Sequence, residues 1–221
     1  MDAAGGAPVT RVLLLHGLWM PRASMRWMAG QLRRAGFQPQ LFGYASVTEG
    51  LRGTLPALRA RLSEATHVLA HSLGGVMAVQ TLQRSPELPV GRIVCLGSPL
   101  CGSAAAEGLA SRPLGRRALG RSARLLSRGC KPWKGPAELG VVAGDSPLGF
   151  GQALGRFTGP SDGTVAVAET RLEGLADHIV LPLSHSGMLF SARAAAQAIE
   201  FLRHGRFRHP AGVNPGRGGS L

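Results

Sequence analysis

Long apolar runs, aromatic residues and acidic residues are all scarce in this sequence of 221 residues. No apolar segment approaches the roughly 20 residues that a membrane-spanning helix requires. Residues 1–8 also lack the basic start and the apolar stretch of a secretory signal. We therefore expect a soluble protein with a cytoplasmic location. Because aromatic residues make up only 5% of the chain, its core must be built mainly from leucine, valine and alanine.

The chain has three cysteines, an odd number that fits a reducing compartment better than a disulfide scaffold. Cys95 lies in an apolar run and is interpreted as a buried thiol. Cys101 and Cys130 bracket a long insert, so a bridge that closes this insert is an open alternative. No pair of cysteines or histidines has the spacing of metal ligands, and no glycine-rich dinucleotide loop is present. We therefore expect no metal, no cofactor and no oxidoreductase chemistry.

Apolar runs with the length of strands alternate with helical patterns along most of the chain. The predicted strands are residues 11–15, 38–43, 66–70, 91–96, 139–144 and 178–183. The predicted helices are residues 22–35, 51–64, 74–84 and 188–203. This is the order of βαβ units, so the sequence predicts an α/β fold in which helices cover both faces of a mostly parallel sheet.

One domain, residues 1–203, accounts for this pattern. An insert at about residues 100–136 separates two of the predicted strands. Residues 204–221 are rich in glycine, arginine, histidine and proline and have no apolar periodicity, which predicts a disordered basic tail. Phe207 is the only aromatic residue of this tail, so we expect no specific binding of nucleic acid.

Residues 70–75, Ala-His-Ser-Leu-Gly-Gly, follow the apolar run 66–69 directly. We interpret them as a sharp turn between a buried strand and a helix, with Ser72 at its apex. The small neighbours Ala70 and Gly74 leave room for a strained serine backbone. A hydroxyl placed at a helix N-terminus, where developing negative charge is favoured, suits a nucleophile. The alternative is a serine that only caps the helix, since Ala70 departs from the G-x-S-x-G pattern by one methyl group.

An acyl-transfer site needs two fixed N–H donors for an oxyanion, usually one after the nucleophile and one from another loop. The first predicted strand, residues 11–15, leads into His16, Gly17 and Leu18. Leu73 would supply one of the amides and Leu18 the other. We interpret His16 as a residue that braces this loop.

An acid that orients a histidine is expected between the serine and the histidine in the chain order of such a site. Of the four aspartates in the sequence, Asp145, Asp162 and Asp177 follow Ser72. Asp162 lies in the turn-rich loop 159–165, from which it can reach back to a histidine. Asp145 remains the alternative acid, and Asp177 is interpreted as a turn or capping residue.

The expected general base is His185, which follows the predicted strand 178–183 and precedes a helix. A catalytic histidine must lie on a loop at the same sheet edge as the serine. His67 and His178 are expected at the far ends of their strands, and His204 and His209 lie in the tail. His71 adjoins the serine, but we expect its side chain to point elsewhere.

Four motifs in this sequence resemble those of the α/β-hydrolase family, and within it the small bacterial lipases and esterases. They are residues 14–18, 70–75, 161–165 and 184–188, and the likeness spans about residues 9–203. The resemblance implies a serine hydrolase with a Ser72–His185–Asp162 triad. In such a triad His185 is the general base and acid, Asp162 orients it, and Leu18 and Leu73 stabilise the oxyanion.

The resemblance implies a carboxylic-ester hydrolase (an esterase or lipase) that acts through an acyl-enzyme on a small-molecule or lipid ester. Apolar residues beside the expected site, Trp19, Met20 and Leu100, indicate a pocket for apolar acyl chains. The same triad also serves acyltransferases, thioesterases and phospholipid deacylases, which stay open as alternatives. A more remote alternative is a non-catalytic protein that binds membranes or nucleic acid.

The insert is strongly basic and occupies the place where related hydrolases carry a cap or lid. It supplies eight of the positive charges, with no acid between Glu107 and Glu138, in a chain of net charge +13. Leucines 114, 119, 125 and 126 interleave with these charges, so we predict a short basic amphipathic helix. We expect this lid-like insert to contact an anionic membrane or lipid surface. A merely solvated lid and recognition of a phosphate or carboxylate substrate are the alternatives.

Overall fold

The computed structural model describes residues 9–147 and 159–210 and has one six-stranded sheet at its centre. All neighbouring strands are parallel, in the order β2-β1-β3-β4-β5-β6. The strands are β1 (Arg11–Leu15), β2 (Gln38–Phe42), β3 (Thr66–His71), β4 (Val90–Leu96), β5 (Glu138–Gly144) and β6 (Asp177–Leu181). The helices are α1 (Arg26–Arg34), α2 (Gly50–Arg61), α3 (Leu73–Arg84), α4 (Ala104–Ala110), α5 (Pro113–Leu119), α6 (Ala123–Arg128) and α7 (Ala192–His204). The predicted α/β architecture is confirmed.

The two faces of the sheet carry separate apolar cores. Successive residues of β1 alternate between them, because side chains of a strand point to opposite faces in turn. Leu13 and Leu15 pack with α2, α3 and the insert, whereas Val12 and Leu14 pack with α1 and α7. Both faces are therefore buried, which is why the strands read as continuous apolar runs rather than as alternating ones.

The insert, residues 100–136, forms three short helices, α4 to α6, and not the single amphipathic helix that was predicted. Leu119, Leu125 and Leu126 are buried against the α2–α3 face of the sheet. Leu114, expected to share their stripe, is 79% exposed. These leucines hold α5 and α6 to the domain, while Ala106 and Leu109 attach α4 to the same core.

The start of the insert is tied to the loop that carries Asp162. Glu169 lies in a 3₁₀ turn, Val167–Thr170, and its carboxylate accepts hydrogen bonds from Ala104 N and Ala166 N at 2.6 and 2.9 Å. The Glu169 carbonyl accepts a third bond, from Cys101 N at 2.8 Å. Glu169, in the loop that carries Asp162, therefore fixes the position of the first residues of α4.

The predicted tail does not begin at His204. Phe207 is buried and packs on Phe201 of α7 with ring centroids 4.8 Å apart. The Asp177 carboxylate accepts bonds from Phe207 N at 2.6 Å and from His209 Nε2 at 2.9 Å. The expectation of disorder is wrong for residues 204–210, which are held by the ring of Phe207, by the buried Asp177 carboxylate and by two hydrogen bonds between Arg208 and Gln197. Residues 211–221, like residues 1–8, lie outside the described part.

All three cysteines are free thiols, and the bridge considered between Cys101 and Cys130 is absent. Cys95 is fully buried in β4, as predicted. The Cys101 thiol instead donates to the carbonyl of Arg171 at 3.0 Å. Within residues 9–147 and 159–210, no helix has the length and apolar character needed to cross a membrane.

We expect the substitution Phe207→Ala to lower the free energy of unfolding by about 3 kcal/mol, because it leaves a cavity against Phe201. Urea denaturation measures this loss. The matched control is Arg206→Ala, which removes an exposed side chain one position away and should cost less than about 0.5 kcal/mol. Equal stability of the two variants would mean that this segment contributes nothing to the fold.

Candidate active site

Ser72 lies between the end of β3 and the start of α3 with backbone angles of φ 55° and ψ −124°. A positive φ is unusual for a residue with a side chain, and it turns the serine out of the strand. The Ser72 amide donates to the carbonyl of Leu96 at 2.9 Å, which fixes the turn to β4. Its side chain makes no capping bond to α3. The alternative of a serine that only caps the helix therefore does not hold.

The missing side chain at Gly74 brings α3 against the end of β1. A Cβ atom there would lie 2.6 Å from the carbonyl oxygen of His16 and 2.8 Å from that of Leu15. Ala70, before the serine, is fully buried. The small residues that suggested a turn thus also place the serine beside the loop that follows β1.

The loop after β1 is held rigidly. His16 stacks on Tyr44 with ring centroids 4.3 Å apart, and the Tyr44 hydroxyl donates to the His16 carbonyl at 2.6 Å. The Nδ1 atom of His16 lies 2.8 Å from the Gly17 carbonyl. His16 thus has the bracing role expected of it.

Two backbone amides next to Ser72 are left without acceptors. Within the described residues, neither the Leu18 nor the Leu73 amide makes a hydrogen bond. The next amide, of Trp19, is by contrast engaged by the Ser46 hydroxyl at 3.2 Å. Leu18 and Leu73 therefore offer free N–H donors of the kind that an oxyanion requires.

The structure brings Asp162 and His185 together. His185 Nδ1 donates to Asp162 Oδ2 at 2.7 Å, and the His185 amide donates to the Asp162 carbonyl at 2.9 Å. The other carboxylate oxygen, Oδ1, accepts from the amides of Thr164 and Val165 at 2.9 and 2.7 Å. Asp162 is 1% exposed, and these bonds compensate for its burial.

The alternative acid, Asp145, does not reach the histidine. It is exposed directly after β5, and its backbone amide donates to the Leu181 carbonyl at 3.1 Å. Within residues 9–147 and 159–210, its carboxylate has no partner. Asp177 lies at the opposite end of the sheet, at the first residue of β6, and anchors Phe207 as described above. Of the three aspartates, Asp162 alone pairs with His185.

Two residues that sequence reasoning missed support this pair. A Cβ atom on Gly97, which follows β4 with φ 54°, would lie 2.9 Å from Asp162 Oδ2 and 3.1 Å from His185 Nδ1. His71, expected to point away from the site, has its Nε2 atom 3.0 Å from the His185 carbonyl and its ring 4.7 Å from the His185 ring. The glycine leaves room for the pair, and His71 positions the loop of the base. A glycine directly after a buried strand was the only sequence signal for either.

His71 is fully buried, and its Nδ1 atom has no partner within the described residues. Burial lowers the pKa of His71 to about 3, and the neighbouring His185 acts in the same direction. His71 is therefore neutral at physiological pH. Because a carbonyl only accepts, the proton is on Nε2.

Ser72 and His185 both line a cavity of about 340 Å³ at the carboxyl edge of the sheet. Trp19 and Met20, predicted to bind substrate, also line it. Leu100 does not, because its side chain is fully buried in the core; its neighbour Pro99 takes that place. The insert contributes a largely apolar wall consisting of Ser103, Ala105, Ala106, Leu109, Leu119 and Leu126.

Comparisons with known proteins identify the fold. No protein-family model matches the sequence, and a search of curated proteins finds no match. The lipase BlEst2 of Bacillus licheniformis in its mature form is similar in structure, with a TM-score of 0.69 and 17% identity over 90% of this chain and 92% of that one. Its propeptide form gives a TM-score of 0.73 and 18% identity, over 95% and 54%. The phospholipase PlaB of Legionella pneumophila gives a TM-score of 0.67 and 15% identity, over 88% of this chain and 60% of that one. The chain therefore has the α/β-hydrolase fold.

We expect the free energy of unfolding to fall as the pH drops below about 6.5, the pKa of a histidine in the unfolded chain. Below this pH the histidines of the unfolded chain bind protons, whereas three buried histidines of the folded protein stay neutral. Burial lowers the pKa of His71 to about 3 and of His67 and His178 to about 4. His71→Gln cannot titrate but keeps a donor for the His185 carbonyl. Its stability, followed by urea denaturation between about pH 7 and 5, should fall less steeply than that of the wild type, by up to about 1.4 kcal/mol per pH unit. Parallel curves for the two proteins would contradict the assignment of a neutral, buried His71.

Proposed function

We propose that this protein is a serine-dependent carboxylic-ester hydrolase. The observation that carries the proposal is the 2.7 Å bond between His185 and the buried Asp162, in the cavity that Ser72 also lines. Ser72 lies in a strained turn after the parallel strand β3. Within the described residues, the amide of Leu73, which follows it, and that of Leu18, on the loop after β1, make no hydrogen bond. These are the parts that acyl transfer requires.

In the first step the Ser72 hydroxyl attacks the ester carbonyl, and His185 accepts its proton at Nε2. That atom is free to act as base because Nδ1 carries the other proton and donates it to Asp162. Asp162 stays ionised and stabilises the imidazolium that forms. The amides of Leu18 and Leu73 donate to the oxyanion of the tetrahedral intermediate.

Collapse of this intermediate breaks the ester bond, and His185 gives its proton to the departing alcohol. The acyl group is then bound to Ser72 as an ester. Water attacks this acyl-enzyme, again losing a proton to His185, and release of the carboxylic acid regenerates the serine. No metal or organic cofactor takes part in this sequence.

The apolar wall of the cavity favours an apolar acyl chain. Leu109, Leu119 and Leu126 of the insert, with Val165 from the acid loop, line it beside Trp19 and Met20. The similar structures bear the names of a lipase, a phospholipase and a carboxyl esterase, which supports an ester or lipid ester as substrate. Leu114 of the basic insert and Trp19, whose indole N–H donates to the Ala118 carbonyl of the insert, are exposed and favour contact with an anionic lipid surface.

Acyl transfer to another alcohol or thioester cleavage would use the same triad. An added alcohol that competes with water for the acyl-enzyme separates transfer from hydrolysis, since the product ester then accumulates in place of the acid.

The triad assignment predicts that Ser72→Ala and His185→Ala lower kcat/KM for p-nitrophenyl esters by about 10⁴-fold or more, and that Asp162→Ala lowers it by at least about 10²-fold. A series of esters from acetate to palmitate, followed by release of p-nitrophenol, measures both activity and chain-length preference. Asp145→Ala is the matched control and should stay within about twofold of the wild type. Full activity of Ser72→Ala would refute the proposal, whereas loss of activity in Asp145→Ala alone would overturn only the choice of acid.

Gly97→Ala should reduce kcat strongly, because its methyl group would displace the Asp162 carboxylate from His185. The control is Gly36→Ala, a glycine with φ 89° and no atom within 4 Å of the added Cβ. Both variants pay about 1 kcal/mol for a side chain at positive φ, which thermal unfolding checks. Only Gly97→Ala is expected to lose activity, by about 10²-fold. Similar activities would show that the close approach at residue 97 has no role in catalysis.

A further inference from the structure

Six arginines converge on a groove that the proposed reaction does not use. The groove has a volume of about 800 Å³ and lies between α2, α3 and the insert. Among the described residues, none lines both this groove and the cavity of Ser72. The arginines come from five elements: Arg52 of α2, Arg84 of α3, Arg116 of α5, Arg121 of the turn that follows α5, and Arg124 and Arg128 of α6.

These arginines have no acidic partners. Within the described residues, none of the six lies within 4.0 Å of a carboxylate. Among the described residues, Arg11, Arg59, Arg92 and Arg208 pair with a carboxylate, and none of these four lines the groove. Six arginines without an ion-pair partner that line one groove concentrate positive charge there.

Glu49, the one acidic residue among the described residues that line the groove, already accepts two hydrogen bonds. Glu49 Oε2 accepts bonds from the Ala45 amide and the Thr54 hydroxyl, at 3.3 and 3.2 Å. Arg84 is also held, since its NH1 atom donates to the backbone and side-chain oxygens of Gln80 at 2.7 and 3.0 Å. The remaining arginines make no side-chain hydrogen bond within the described residues, so their donors face solvent.

Hydrogen bonds to backbone carbonyls join the walls of the groove. The Arg121 amide donates to the Val47 carbonyl at 2.9 Å, and the Ser122 hydroxyl bonds to the Ser46 carbonyl. On the other side, Gln80 of α3 donates to the Gly129 carbonyl at the end of α6 at 2.5 Å. The insert is thus fixed to the loop before α2 and to α3, and these contacts hold the walls of the groove together.

We propose that this groove binds a soluble small molecule that carries two or more phosphate groups. Guanidinium groups bind phosphate oxygens through two parallel hydrogen bonds, and several of them around one groove match several phosphates. The volume lies in the range of small-molecule sites, about 300–1,000 Å³. A recessed site with walls on α2, α3 and the insert suits a compact ligand better than the flat surface of a bilayer. The proposal is independent of ester hydrolysis, because it involves neither Ser72 nor its cavity.

Isothermal titration calorimetry with inorganic tripolyphosphate, and with orthophosphate for comparison, tests this site. We expect tripolyphosphate to bind with a Kd at least about tenfold lower than orthophosphate, since it engages more arginines at once. The double variant Arg124→Gln/Arg128→Gln and the single variant Arg52→Gln, which lies outside the insert, should each weaken tripolyphosphate binding about tenfold or more. All three residues are exposed, and circular dichroism checks that the variants fold.

The matched control is Arg112→Gln/Arg117→Gln, which removes the same charge from exposed residues of the insert that do not line the groove. It should change the Kd less than about threefold, through long-range screened attraction alone. Equal weakening in the control and groove variants would overturn the proposal in favour of diffuse charge, and so would an absence of measurable binding. A third arm uses phosphatidylcholine vesicles with and without phosphatidylinositol bisphosphate. Groove-dependent binding to these vesicles without binding of tripolyphosphate would assign the groove to a lipid headgroup and also overturn it.

Discussion

The contact between α3 and the end of β1 is the constraint on which the site depends. With no side chain at Gly74, the first turn of α3 lies against the carbonyls of Leu15 and His16. This contact sets Ser72 next to the loop that carries Leu18, and it aligns the free amide of Leu73 with that loop. The stacking of His16 on Tyr44 then keeps the loop in place from the other side. Position and rigidity thus come from packing of the backbone, which long side chains would prevent.

The parallel sheet explains why residues far apart in the chain meet. Parallel strands present all their carboxyl ends at one edge, and the loops after β1, β3, β4 and β6 bring Leu18, Ser72, Gly97 and His185 together there. The acid arrives differently, on a long connection between β5 and β6. The Asp162 carboxylate accepts hydrogen bonds from the amides of Thr164 and Val165 in its own turn. The loop itself therefore fixes the position of this carboxylate.

The sequence predicted what local patterns determine. Six apolar runs became the six strands within two residues at each end. Ala70 and Gly74 predicted the turn at Ser72 because small side chains leave room for a strained serine backbone. Asp162 and Asp145 remained open, since the choice depends on the path of a loop. The partner of His71 is a carbonyl 114 residues away, and no periodicity signals such a contact. Leu100 and Leu114 were misjudged for a related reason. In short helices and turns, one residue decides between core and solvent, and the apolar pattern is too brief to show which.

The two separate cores have a consequence for how this protein tolerates change. The sheet stands between the α1–α7 layer and the layer that includes α3 and the insert, so substitutions on the two sides share few contacts. Their effects on stability should therefore add with little coupling. Better packing around α7 can offset the cost of altered residues in the layer that includes α3 without disturbing their geometry. Stabilising substitutions in the α1–α7 layer can therefore compensate for destabilising substitutions that change the specificity of the cavity or of the arginine groove.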